Sequence, residues 1–67
     1  MSQLTIKNKS VMERNLYDEW RNSPATTWAT FIKSLDKNIR SVRYLNPYTD
    51  IWFDDDASKT WFILRWS

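Results

Sequence analysis

Residues 39–53 read IRSVRYLNPYTDIWF, and the fold class turns on them. Val42 and Tyr44 alternate with Ser41, Arg43 and Leu45, a period of two that belongs to a strand. Asn46-Pro47 interrupts the run as a turn. Beyond it, Ile51 and Phe53 share one face and Asp50 and Trp52 the other. Tyr48 to Phe53 therefore predicts a second strand, with Ile51 and Phe53 as the buried pair. The alternation is expected to continue downstream. Asp54-Asp55-Asp56-Ala57-Ser58-Lys59 reads as a polar turn, and Thr60 to Trp66 as a third strand with Trp61 and Ile63 opposing Phe62, Leu64 and Trp66. The chain contains no Gly, so longer Asp/Asn/Pro connections are expected in place of primed two-residue hairpin turns.

Upstream the period becomes helical. Ser10 and Glu13 match the S-x-x-E capping box, in which two side chains satisfy free backbone N–H groups at a helix start. Met12, Leu16 and Trp20 then form one i, i+4 row. Asn22-Ser23-Pro24 ends this helix, because the residue before a proline is pushed out of the α region. The same triplet opens a second helix, with Ser23 as N-cap and Pro24 at the first helical position. Trp28, Phe31, Ile32, Leu35 and Ile39 form its apolar stripe. Residues 2–7 alternate polar and apolar, placing Leu4 and Ile6 on one face of a short strand. The expected architecture is a single α+β domain over residues 1–67. Two helices pack on a three-stranded antiparallel meander, and the N-terminal segment can add a strand, in the order β-α-α-β-β-β.

The 67 residues include no Cys, His or Gly. That excludes zinc fingers, thiolate or imidazole metal sites, disulfide frameworks, Ser-His-Asp and Cys-His nucleophiles, P-loops and dinucleotide fingerprints. So short a chain has little room for a core and a catalytic pocket together, so a non-enzyme without cofactor or metal is expected. No apolar run approaches the roughly 20 residues of a membrane span. The opening Met1-Ser2-Gln3-Leu4-Thr5 lacks the apolar region of a secretory signal, and the expected location is cytoplasmic.

Eleven aromatic rings, five Trp, three Tyr and three Phe, exceed what so small an interior easily hides, so some are expected at the surface. Trp20 and Trp28 lie on apolar helix faces and read as core. Trp52 is out of phase with Ile51 and Phe53, and Tyr48 shares its face. With Asp50 between them and Arg43 nearby on the preceding strand, they have the anatomy of an interface hot spot. Asp54, Asp55 and Asp56 lack the alternating ligand pattern of a calcium loop and read as turn residues or as an acidic lure for a partner's cations. Lys33, Lys37, Arg40 and Arg43 form a basic run interleaved with rings, the composition of a nucleic-acid surface. Against that, the net charge is only +2, and the second helix presents no Arg, Asn or Gln to base edges near its start.

Three functions follow as expectations. The first is a stoichiometric protein-binding inhibitor or modulator, a kind common among phage and mobile-element products. Its partner-binding residues would be Arg43, Tyr48, Asp50, Trp52 and Asp54 to Asp56. The second is a DNA- or RNA-binding regulator using Lys33, Lys37, Arg40 and Arg43. The third is a subunit of a homo-oligomer.

Overall fold

The computed structural model describes residues 2–67. Its elements run β1 (Ser2–Lys7), α1 (Val11–Arg21), α2 (Trp28–Ser34), β2 (Ile39–Leu45), β3 (Tyr48–Phe53) and α3 (Asp56–Trp66). The fold is α+β: one antiparallel sheet of order β1-β3-β2 carries the helices on one side.

The alternation in residues 39–53 folds as its pattern dictates. Leu45 pairs with Tyr48, Arg43 with Asp50 and Val42 with Ile51. Ile51 and Phe53 are fully buried and Thr49 nearly so, while Tyr48, Asp50 and Trp52 point the other way. The turn is shorter than expected. Asn46-Pro47 alone connects the strands, through a cis peptide bond, and a cis proline at the third turn position closes a tight turn without glycine. A bulge between Ile39 and Ser41 sets Arg40 outside the ladder. It lets Ile39 and Val42, three residues apart, both face the core.

The N-terminal strand is present and is integral to the sheet. Leu4 pairs with Ile51 and Lys7 with Tyr48 along the other edge of β3. Because β3 is now paired on both sides, the expected third meander strand has no place beside it. Thr60 to Trp66 is helical, and the polar turn before it is a helix start. Asp55 is extended and its side chain accepts the Ser58 N–H at 2.7 Å. Asp56 and Arg65 place acid and base at the ends that suit the helix dipole. Ser58, Phe62 and Trp66, at i, i+4 and i+8, are the buried stripe. The run Trp61-Phe62-Ile63-Leu64 is apolar on every face, so it satisfies a period of two as readily as 3.6.

Helix α1 starts at the expected N-cap, Ser10, but the return arm of the box shifts by one residue, because the Ser10 N–H is taken by the Lys7 carbonyl. Ser10 Oγ accepts the Glu13 N–H at 3.2 Å, and Glu13 Oε1 reaches back to the Lys9 N–H at 3.1 Å. Lys9 itself takes a left-handed conformation (φ 69°), which costs a non-glycine residue about 1–2 kcal/mol. Helix α2 is shorter than expected at both ends. The Ala25 carbonyl, which a helix begun at Pro24 would use internally, accepts the Trp20 indole N–H at 3.1 Å. The start moves to Thr27, whose hydroxyl accepts the Thr30 N–H. At the other end Asp36 Oδ1 accepts the Asn38 N–H at 2.8 Å. This local turn competes with further helix and releases Ile39 to pair with Phe53.

The core joins Ile6, Ile39, Ile51 and Phe53 of the sheet to Leu16, Phe31, Ile32, Phe62 and Trp66 of the helices. Phe53 and Phe62 meet edge-on with centroids 5.4 Å apart, a favoured aromatic geometry. Two amide side chains tie α3 to its neighbours: Asn15 of α1 donates to the Trp66 carbonyl and Asn38, just before β2, to Ser58 Oγ, both at 2.9 Å. No described helix is long and apolar enough to cross a membrane.

Candidate interaction surface

With the helices on one side, the outer face of the sheet is left bare. Its middle row is Tyr48, Asp50 and Trp52. The register sets Lys7, Thr5 and Gln3 along one flank and Leu45, Arg43 and Ser41 along the other. Tyr48 is 44% exposed and Leu45 similarly so. Trp52 is half-buried in a recess bounded by Arg40, Ser41, Val42 and Arg43. Asp50 accepts the Thr5 hydroxyl at 2.8 Å and stands opposite Arg43 in the ladder. The strand thus brings Arg43, Tyr48, Asp50 and Trp52 onto one surface, and the neighbouring strands hold its polar positions in place.

The three aspartates lie at the far end of β3 from Tyr48, and each engages a neighbour. Asp54 faces Arg40 at 3.9 Å, the ion pair found among the described residues, and both side chains are at least half exposed. Such a pair contributes about 1 kcal/mol or less. Asp55 caps α3, and the Ser58 backbone N–H it accepts holds its carboxyl below the ordinary value of 3.8, helped by the Ser58 side chain. Asp56 accepts the Ser2 hydroxyl. The triplet is the punctuation between β3 and α3, and among the described residues no cluster of acids is arranged to hold a metal.

Of the four basic residues, Arg40 and Arg43 border one recess beside Trp52, and Lys33 and Lys37 belong to the end of α2 and the loop after it. Arg40 occupies the bulge beside Asp54, and Arg43 stands across from Asp50 on the open face.

Two surface features escape the sequence pattern. Trp61 and Leu64, one helical turn apart on α3, are 71% and 66% exposed; a strand reading splits them between faces and hides the pair. The second is a cleft of about 250 Å³ lined by Glu13, Tyr17, Trp20, Trp28 and Tyr44. Trp20 and Trp28 are partly buried: both pack against the core, as their helix faces predict, and both also line the cleft wall. Glu13, Tyr17 and Trp20 recur at i, i+4 and i+7, a signal legible in α1, but Trp28 and Tyr44 reach the cleft only through the tertiary fold. No protein-family model, curated protein or solved structure matches this chain.

Proposed function

We propose that the chain is a small non-enzymatic module that binds a larger protein stoichiometrically, as an inhibitor or modulator, through the open face of its sheet. The observation that carries this reading is the uncovered row Tyr48-Asp50-Trp52 with Arg43 beside it. Two aromatic anchors separated by a charge suit a hot spot ringed by polar contacts.

Size favours a larger partner over a second copy. Three strands of six or seven residues, about 4.8 Å apart and rising about 3.3 Å per residue, give the face a flat outline of roughly 300 Å². A stable interface needs about 800 Å² per partner. Two copies facing each other through this surface alone fall short, whereas a concave partner can also grip the strand edges and the Leu45–Tyr48 turn.

The test compares immobilised wild type with Trp52→Ala and, as a control away from the sheet, Trp61→Ala. A nuclease-resistant partner held near one-to-one by wild type and Trp61→Ala, and at least about tenfold more weakly by Trp52→Ala, supports the reading. Equal retention by Trp52→Ala removes the sheet face from the site. Recovery of nucleic acid, or a dimer in light scattering that Trp52→Ala dissolves, replaces the reading with the nucleic-acid or self-assembly alternative.

A further inference from the structure

We propose that the cleft between α1, the start of α2 and the end of β2 binds an alkylated ammonium group. The site is separate from the open sheet face, and the inference stands independently of the function proposed above.

The cleft has aromatic walls and one acid. Tyr17 and Trp20 meet edge-on at 5.6 Å, Trp20 and Trp28 at 5.3 Å, and Tyr17 lies 6.3 Å from Trp28. Tyr44 comes from the helix side of the sheet, beside Thr49 in the ladder. Tyr17 and Tyr44 are each about half exposed (49% and 52%), so the cluster opens to solvent where a satellite of the core would close. Both indole N–H groups are engaged elsewhere, Trp20 with the Ala25 carbonyl and Trp28 with Thr49 Oγ1, each at 3.1 Å. With both N–H groups bonded inside the protein, neither indole aims its positive donor edge at the cleft, and what the rings add to its walls is aromatic surface of the kind that attracts cations.

Charge points the same way. Glu13 is the sole charged residue lining the cleft, and among the described residues it has no ion-pair partner. Lys9, Arg14 and Asp18 line an adjoining recess that shares Glu13 and Tyr17 with the cleft; none of the three lines the cleft itself. Glu13 is held in place: Oε1 accepts the Lys9 N–H. With the Asn8 amide oriented so that its nitrogen faces acceptors, that nitrogen donates to Glu13 Oε2 at 2.8 Å, and the Asn8 oxygen accepts from the Tyr44 hydroxyl at 3.2 Å. In that orientation, with the Asn46 amide turned so that its nitrogen donates to the Asn8 oxygen at 2.9 Å, one asparagine links the acid to the fourth ring.

The kind of cation follows from what the cleft lacks. A bare ammonium needs three hydrogen-bond acceptors, and one carboxylate among four rings serves it poorly. A quaternary, trimethylated ammonium needs none of them and spreads its charge over methyl groups that pack on aromatic faces. The volume, about 250 Å³, lies below the roughly 300–1,000 Å³ of clefts that take a whole drug-sized ligand. It suits a single group, carried either on a methylated lysine or on a free quaternary amine.

The test follows the Trp20 and Trp28 indole N–H resonances of the full chain by NMR. The probes are tetramethylammonium chloride, a short trimethyllysine peptide, the same peptide with the nitrogen replaced by carbon, and sodium chloride at matched ionic strength. Saturable shifts with the two cations, and binding about tenfold weaker for the neutral isostere, are expected. Glu13→Gln, which keeps an acceptor for Lys9, weakens binding severalfold; Tyr44→Leu does so independently, and Trp61→Ala leaves it unchanged. Tighter binding of the peptide than of tetramethylammonium identifies a protein side chain as the source, and equal binding a free amine. Shifts that never saturate, that sodium chloride reproduces, or that the neutral isostere matches overturn the proposal.

Discussion

Helices α1 and α3 are both 11 residues long, and each begins with a side-chain oxygen accepting the N–H three residues on. They bury themselves differently. Helix α1 commits only Leu16 fully to the interior and turns Tyr17 and Trp20 to a cleft. Helix α3 commits Ser58, Phe62 and Trp66, yet still leaves Trp61 and Leu64 in water. The first is a helix by its own sequence, with a capping box and one apolar row. The second has a run, Trp61 to Leu64, that is apolar on every face, and its packing decides which rings are inside. Local pattern and tertiary context are thus separable in one small protein, and substitutions can pull them further apart.

The largest contrast lies within α3. Phe62→Ala removes a buried ring that meets Phe53 and is expected to cost about 3–5 kcal/mol. That is a large share of the roughly 3–10 kcal/mol total for a chain of this length. Denaturant melts check it; a loss below about 1 kcal/mol would mean that α3 is not anchored through this stripe. Next come the caps. Ser10→Ala is expected to cost roughly 0.5–2 kcal/mol, with the gap from wild type constant across acidic pH because a hydroxyl does not titrate there. Asp55→Ala behaves differently. The native state depresses the Asp55 carboxyl pKa, so its contribution is complete above the unfolded value near 3.8 and is lost as pH falls through the lower folded value. The Tm gap between wild type and Asp55→Ala should be widest near neutrality and shrink below about pH 4. A gap that stayed flat would show that the Asp55 charge does not support the cap. The smallest effect is Trp61→Ala, within about 0.5 kcal/mol by the same melts. A larger loss would place Trp61 in contacts that stabilise the domain.

The two helices also mark how far the residues could be read before the fold was known. The Ser10 cap, the Asn22-Ser23-Pro24 stop and the alternation through Phe53 are short-range signals, and each appears in the structure. Thr60 to Trp66 was open to either period, and what settles it is remote: β1 occupies the edge of β3 that a third meander strand would need. Ile39 shows the same dependence. It continues the α2 stripe in sequence, but the Asp36 turn and the Phe53 partner draw it into β2. On the open face, placing Arg43, Tyr48, Asp50 and Trp52 together required only the hairpin register. The acidic triplet and the cleft required α3 and the contact of α1 with α2 and β2, which no spacing along the chain announces.

The position of β3 in the middle of the sheet has a kinetic consequence. β2 and β3 meet across two residues, while β1 must close over both α1 and α2 before it reaches its partner. Closure entropy rises with the intervening length, so the local hairpin precedes the distant pairing. Until β1 arrives, one edge of β3 is an unpaired ladder next to Ile51 and Phe53, the kind of edge through which nascent chains stick to one another. Pulsed amide exchange during refolding would register this as protection of β2 and β3 ahead of β1. The amino-terminal strand therefore acts as the late cover that ends the chain's exposure to aggregation.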